Sequence, residues 1–159
     1  MRKNGFFAMM TRMRNITRWG LMRNNCTENL TEHSYDTAVT AHALAVIGKE
    51  KFGRDIDPGQ IAAVALFHDA SEIITGDMPT PVKYNNPELY RYVKAADKIS
   101  AYIKCVEELR GGNDEFRRAA IQTREAIAKM HLPEADYYME QFAPAFSLSL
   151  DELQEEEPQ

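Results

Sequence analysis

Residues 65–77, ALFHDASEIITGD, place His68, Asp69, Glu72 and Asp77 in one short stretch with no lysine or arginine among them. The nearest cations along the chain are Arg54 and Lys83. On a helix, His68 and Glu72 share a face and Asp69 lies on the adjoining one. The apolar residues around them, Ile61, Ala62, Ala63, Val64, Leu66, Phe67, Ile73 and Ile74, point in every direction, which predicts a central helix surrounded by protein. A carboxylate buried there without a partner is strongly disfavoured, so either a counter-charge or protonation is required. With no local cation, a metal ion is the economical answer. The competing reading makes His68 a hydrogen-bonded core histidine and sends Asp69 to a helix end or solvent. Burial and the added Glu72 bring the two readings level.

His68 and Asp69 supply two ligands, and a metal needs more. His33, in TEHS at the start of the next helix upstream, is the best further candidate, although alone it could equally be a helix-start residue. His42 lies mid-helix among alanines and reads as structural; His131, just before Pro133, reads as surface. Mixed imidazole and carboxylate donors suit manganese, cobalt, iron, nickel or zinc better than calcium. A divalent ion polarises a phosphoryl oxygen and acidifies bound water, and a nearby arginine balances charge on the other oxygens, which favours hydrolysis over redox. Arg18, in a loop beside Trp19 and upstream of His33, is the basic residue best placed for that role; on spacing alone it is one cation among six early ones.

The elements that must position these residues read as helical throughout. Phe6, Phe7, Met10, Met13 and Ile16 predict a first helix over about residues 5–17 whose stripe enters the core. An Ala-rich second helix runs from near Thr31 to Gly53. Asp57 and Pro58 open the central helix, and Leu89 through Leu109 trace a long amphipathic helix stopped by Gly111-Gly112. Two further helices, over about 115–130 and then to Pro144, precede FSLSL, which alternates like a brief strand. The expected architecture is all-α, with residues 1–150 as one domain and 151–159 as a disordered acidic tail.

With 159 residues and 44% hydrophobic content, the chain is large enough for one core. A net charge of −5 and a pI near 5.4 argue against a nucleic-acid partner. Arg2, Lys3, Arg12, Arg14, Arg18 and Arg23 all precede the first acid, Glu28, yet this basic segment lacks serine and runs into Trp19, unlike a transit peptide. Cys26 and Cys105 form no zinc spacing and read as reduced thiols in a cytoplasmic protein, and no apolar run is long enough to span a membrane.

Taken together, His33, the His68-Asp69 doublet and a later helical Asp resemble the HD-domain metal-dependent phosphohydrolases. The segments RW at 18–19, TEHS at 31–34, HDASEIITGDMPTPVKY at 68–84, ADKISAYIKCVEEL at 96–109 and FSLSLDEL at 146–153 look like the bacterial 5′-deoxyribonucleotidases. The resemblance implies a single HD-domain helical bundle and metal ligation by His33, His68, Asp69 and Asp97, with cobalt or manganese as representative ions. Spacing alone does not select Asp97, since Lys94 and Lys98 make an exposed ion pair the plain reading. By the same resemblance Arg18 orients the phosphate and Trp19 lies beside the sugar, where a bulky ring could leave no room for a ribose 2′-hydroxyl. Asp69, Asp77, Met78, Pro79, Thr80 and Asp97 complete the substrate pocket, and Glu72, Asp77 and Arg18 carry the chemistry.

The implied substrate is a deoxyribonucleoside 5′-monophosphate. The alternatives are an HD hydrolase of nucleoside triphosphates or guanosine polyphosphate alarmones, and a non-catalytic nucleotide-binding module. Many such domains form homodimers; DYYMEQFAPAF could supply an interface or finish the core, with the core reading favoured. The chain departs from the family at one place. Relatives carry a helical segment of several turns before the VKAADK helix, whereas here Asn86-Pro87 runs almost directly into Glu88-Leu89, which bears on how Asp97 approaches the other ligands.

Overall fold

The computed structural model describes residues 4–75 and 86–155. Its elements are α1 (Phe6–Met10), α2 (Leu30–Phe52), α3 (Pro58–Leu66), α4 (Glu72–Thr75), α5 (Pro87–Arg110), α6 (Arg117–Ala128), α7 (Pro133–Gln141) and α8 (Leu150–Glu155), with 3₁₀ turns at Thr11–Asn15, Asp114–Phe116 and Ala143–Ser147. The fold is all-α. Among the described residues the strand-like pairing is limited to one isolated bridge between Thr17 and Asn29, so FSLSL forms no strand and its first two residues close the last 3₁₀ turn.

Local chemistry sets the ends of the long helices. Asn29 accepts the N–H groups of Thr31 and Glu32 at 2.9 and 3.1 Å, and Glu32 returns a bond to the Asn29 N–H at 2.9 Å, a reciprocal cap that starts α2. Gly53, at φ 63°, ends it in the left-handed region where glycine meets no Cβ penalty. Asp57 caps α3 with Pro58 in its first turn, and Asn86 caps α5 with Pro87 in the same place.

The core lies where α2, α3 and α5 meet. Ala41, Leu44 and Ala45 of α2 pack with Ile61 and Ala65 of α3 and with Val93, Ala96 and Ile99 of α5. Small residues let α2 and α5 approach closely: a Cβ on Gly48 would stand 2.8 Å from the Tyr92 hydroxyl oxygen.

Three elements depart from the sequence expectation. The first helix is only α1 followed by a 3₁₀ turn, and of its stripe Met13 alone is buried while Phe6 and Phe7 are exposed. The central helix stops at Leu66 instead of running through Ile74, and its Leu66 and Phe67 are exposed, so protein does not surround it. The break has a local cause. The Ala65 carbonyl, which would accept the N–H four residues on, instead accepts from the His68 N–H at 3.2 Å and the His68 ring Nδ1 at 2.6 Å. Further bonds of the tighter type, Ala70 N–H to Phe67 O and Glu72 N–H to Asp69 O, carry the chain through a series of turns into α4. Finally, residues 151–155 of the expected disordered tail belong to α8, because Ser149 and Glu152 cap each other there.

One face of α5 carries polar groups into the interior at Asp97, Ser100, Lys104 and Glu108. The last two pin the loop between the 3₁₀ turn and α2. The Lys104 ammonium donates to the Cys26 carbonyl and to Glu108. Glu108 also accepts the N–H groups of Asn25 at 2.8 Å and Cys26 at 3.1 Å and the Asn113 side-chain amide at 2.8 Å. Burial alone would raise the Glu108 pKa, but Lys104 and these N–H donors outweigh it and hold it at about 2, below the ordinary 4.5.

A depressed carboxylate stabilises the folded state above its unfolded pKa and ceases to do so as pH falls toward its folded one. Glu108 therefore contributes fully above pH 4.5 and progressively less down to about pH 2. Urea unfolding of Glu108→Gln is expected to show a loss on the order of 2 to 3 kcal/mol at neutral pH, shrinking by about half near pH 3. A deficit that stays constant over that range would contradict this assignment.

Candidate functional site

His33 enters from the first turn of α2 and is fully buried. Its Nε2 lies 3.2 Å from Asp97 Oδ1 and 3.5 Å from Asp69 Oδ2, and its Nδ1 lies 3.3 Å from the Ser100 hydroxyl. His68 comes from the turn after α3. Because a carbonyl oxygen can only accept, the 2.6 Å contact with Ala65 places the proton on His68 Nδ1 and turns the Nε2 lone pair inward. That Nε2 is buried, 3.1 Å from Asp69 Oδ2 and 3.9 Å from Asp97 Oδ1, and makes no aligned hydrogen bond. The two rings are 5.3 Å apart between centroids.

The donor set fits a divalent cation. Ligand atoms of His33, His68 and Asp97 lie within 4.8 Å of one another, and Asp69 Oδ2 is close to both imidazoles. Metal bonds of about 2.1 Å place neighbouring ligand atoms about 3.0 Å apart at octahedral angles and about 3.4 Å apart at tetrahedral ones. The imidazole-to-carboxylate separations of 3.1 to 3.9 Å fall at or slightly above these values. Bonds from His33 Nδ1 to the Ser100 hydroxyl and from His68 Nδ1 to the Ala65 carbonyl turn the Nε2 of each ring toward the carboxylates. The helix break is what brings Asp69 into the same cluster as His68.

Without an ion, protons take up the role of counter-charge. Burial disfavours the His68 imidazolium, but the carboxylates of Asp69 and Asp97 favour it more strongly and raise its pKa to about 9. Burial likewise opposes the Asp97 carboxylate, and His33 and His68 outweigh it and hold it well below the usual range. Asp97 also keeps the surface pairing expected from its neighbours: Lys94 Nζ is 3.8 Å from its other oxygen. It is thus both a surface ion-pair partner and a member of the cluster.

Arg18 stands beside the cluster, its Nη1 3.6 Å from Asp69 Oδ2. Trp19 has φ 56° and packs edge-on against buried Phe116, with ring centroids 5.4 Å apart. Glu72 is buried at the start of α4, its N–H bonded to the Asp69 carbonyl at 2.9 Å. Asp77, Met78, Pro79 and Thr80 lie outside the described residues. His42 and His131 are exposed and, among the described residues, join no ligand group; for His42 this replaces the structural role expected from its alanine neighbours. Sequence reasoning did not single out Ser100 or Glu28, both of which face His33 Nδ1. A polar residue three positions after Asp97, on the same helix face, was the available signal for Ser100.

Comparison with known proteins identifies the family and the fold. A family model described as 5′-deoxynucleotidase YfbR-like matches residues 5–92 and 88–146. A 5′-deoxynucleotidase of Photorhabdus laumondii is 42% identical over 188 residues, covering 93% of this chain and 95% of the relative. One from Cronobacter sakazakii is 40% identical over 198 residues, covering 99% and 100%. The crystal structure of an HD-domain phosphohydrolase from Listeria innocua superposes with a TM-score of 0.73 at 19% identity, covering 94% of this chain and 91% of that one, which shows the shared fold. Since 93% of 159 residues is about 148, about 40 of the 188 aligned positions have no counterpart in this chain. The two pieces of the family match share residues 88–92, which places the shortfall there, where the sequence departs from its relatives.

Titration calorimetry with manganese or cobalt is expected to find one site per chain. Asp97→Asn and His68→Ala should each weaken it by at least about 100-fold, and Ser100→Ala by about 10-fold. His68 is protonated in the metal-free site below a pKa of about 9, so binding should release a proton and tighten about tenfold per pH unit up to that point. Affinity independent of pH between 6 and 8 would contradict the assignment of His68 as a ligand.

Proposed function

The chain belongs to the YfbR-like 5′-deoxynucleotidase family, and from that membership we propose that it hydrolyses deoxyribonucleoside 5′-monophosphates to deoxyribonucleosides and inorganic phosphate. The observation that carries the site assignment is the position of Arg18, 3.6 Å from an oxygen of Asp69 that also faces both imidazoles. A phosphate meeting the cluster would meet the guanidinium as well.

In this reading His33, His68, Asp69 and Asp97 hold a divalent cation. When bound, such an ion polarises a phosphoryl oxygen and lowers the pKa of water. The remaining steps belong to the chain's own side chains. Arg18 binds the non-bridging phosphoryl oxygens and balances the charge that builds on them. Glu72 orients the attacking water and accepts its proton as the oxygen bonds to phosphorus. The bond from phosphorus to the 5′-oxygen breaks, and Asp77 returns a proton to that oxygen. Neither Ser nor Cys is assigned as a nucleophile, so attack is direct and no phosphoenzyme is expected.

Mixed imidazole and carboxylate donors support cobalt or manganese as the ion. Among the described residues no helix is long and apolar enough to cross a membrane. A cytoplasmic location is proposed on the unpaired thiols of Cys26 and Cys105. A homodimer is proposed with it, Phe142 and Tyr35 being exposed and Tyr138 contributing to the core.

A panel of 5′-monophosphates should release inorganic phosphate only with added divalent metal and should favour deoxyribose forms. Glu72→Gln should lower kcat about 10²- to 10⁴-fold while leaving metal affinity unchanged. Pyrophosphate or triphosphate as the product would instead identify a hydrolase of longer phosphate chains, and nucleotide binding without metal or turnover would identify a sensor.

A further inference from the structure

Glu28 is 9% exposed, and it touches both residues assigned to the substrate. Its Oε2 accepts the Trp19 indole N–H at 2.9 Å and lies 3.3 Å from Arg18 Nε. Its other oxygen stands 3.9 Å from His33 Nδ1, and its backbone carbonyl accepts the Arg18 N–H at 2.9 Å. One residue thus fixes the backbone of Arg18, the edge of its guanidinium and the plane of the indole.

Trp19 needs such a restraint. A bulky residue at φ 56° sits in the left-handed region, which is disfavoured by about 1 to 3 kcal/mol and persists only where surrounding contacts over-determine it. The Trp19 carbonyl accepts from Met22 N–H at 2.8 Å and Asn24 Nδ2 at 3.2 Å, which fixes the backbone turn. Those bonds leave the ring free to turn about its side-chain torsions. Phe116 limits that rotation on one side, and Glu28 holds the one polar atom of the indole.

We propose that Glu28 is a positioning residue that sets phosphate binding and sugar discrimination together, by holding the Arg18 guanidinium and the Trp19 indole on one carboxylate. It acts through those two side chains and not on the reacting atoms. The proposal rests on the functional reading above, which assigns Arg18 to the phosphate and Trp19 to the sugar.

The chain contains one tryptophan, so intrinsic fluorescence reports Trp19 without reference to any substrate. Glu28→Ala should red-shift the emission and make it more accessible to acrylamide, with far-UV circular dichroism unchanged. Glu28→Gln keeps an oxygen able to accept the indole N–H but loses the charge facing Arg18. It should retain the emission of the parent chain and its preference for deoxyribose while raising KM. In Glu28→Ala both KM and selectivity should suffer, selectivity by about 10-fold or more. Trp19→Phe should lower selectivity to a similar degree, and adding Glu28→Ala to it should lower selectivity no further, because both changes break the same link.

Unchanged fluorescence in Glu28→Ala, or additive losses of selectivity in the double variant, would overturn the proposal. If Glu28→Ala does not fold, Glu28→Gln decides, since a purely structural role predicts that its KM stays with the parent. If the parent chain itself shows no preference for deoxyribose, the functional reading fails, and the fluorescence arm still decides whether Glu28 positions Trp19.

Discussion

The imidazole of His33 is wholly enclosed between α2 and α5, and the rest of the site is arranged around its two nitrogens. An enclosed imidazole needs a partner on each nitrogen, or it forfeits the hydrogen bonds it had in water. Here one nitrogen faces Ser100 and Glu28, and the other faces Asp69 and Asp97. Those residues come from α5, from the loop ahead of α2 and from the turns after α3. Any shift of α2 against α5 would therefore disturb the cluster and the loop of Arg18, Trp19 and Glu28 at once. Close approach at Gly48 and the shared core of Ala41, Ala45, Ala96 and Ile99 resist that shift.

Placing so many acids around two histidines in a helical core is unfavourable unless each charge is answered. The chain answers them in two separate groups along one face of α5. Near the end that carries Asp97, the carboxylates of Asp69 and Asp97 face His68 and His33, which leaves a proton or a cation as the neutralising species. Farther along, Lys104 and a ring of N–H donors neutralise Glu108 permanently. The first group can exchange its counter-charge and so can bind a metal. The second cannot, and serves to hold the loop of Arg18, Trp19 and Glu28 against the helix.

Much of this was legible in the sequence because helix ends carry local chemistry. Asp57 with Pro58, and Gly53, act through neighbours within a few residues, so their roles survive whatever the rest of the chain does. His68 and Asp69 were legible for another reason: acids and a histidine in an apolar run have few alternatives. The break at Leu66 was not legible, since it depends on a ring turning back to the Ala65 carbonyl, and an unbroken helix satisfies the same hydrophobic pattern. Asp97 was hidden behind its real pairing with Lys94, and came only through family resemblance. Glu28 gave no signal, because its partners at 18, 19 and 33 share no helical period with it. The apolar stripe of α1 misled for the converse reason: periodicity records amphipathicity but not whether a partner surface exists.

The missing stretch of about 40 positions ends close to Asp97, so the persistence of the His33, His68 and Asp97 cluster requires a physical account. Position within a helix is set by what the helix buries, not by the chain that leads into it. Residues Tyr92, Val93, Ala95, Ala96 and Ile99 of α5 are all buried, and Tyr92 adds a bond to the enclosed Glu134 at 2.9 Å. They bracket Asp97 on both sides and fix its rotation and height against α2 and α7. The junction itself needs only a competent helix start, and Asn86 and Pro87 supply one by capping the N–H groups of Glu88 and Leu89. A change in length at that point can alter what covers the cluster while leaving Asp97 where the core holds it.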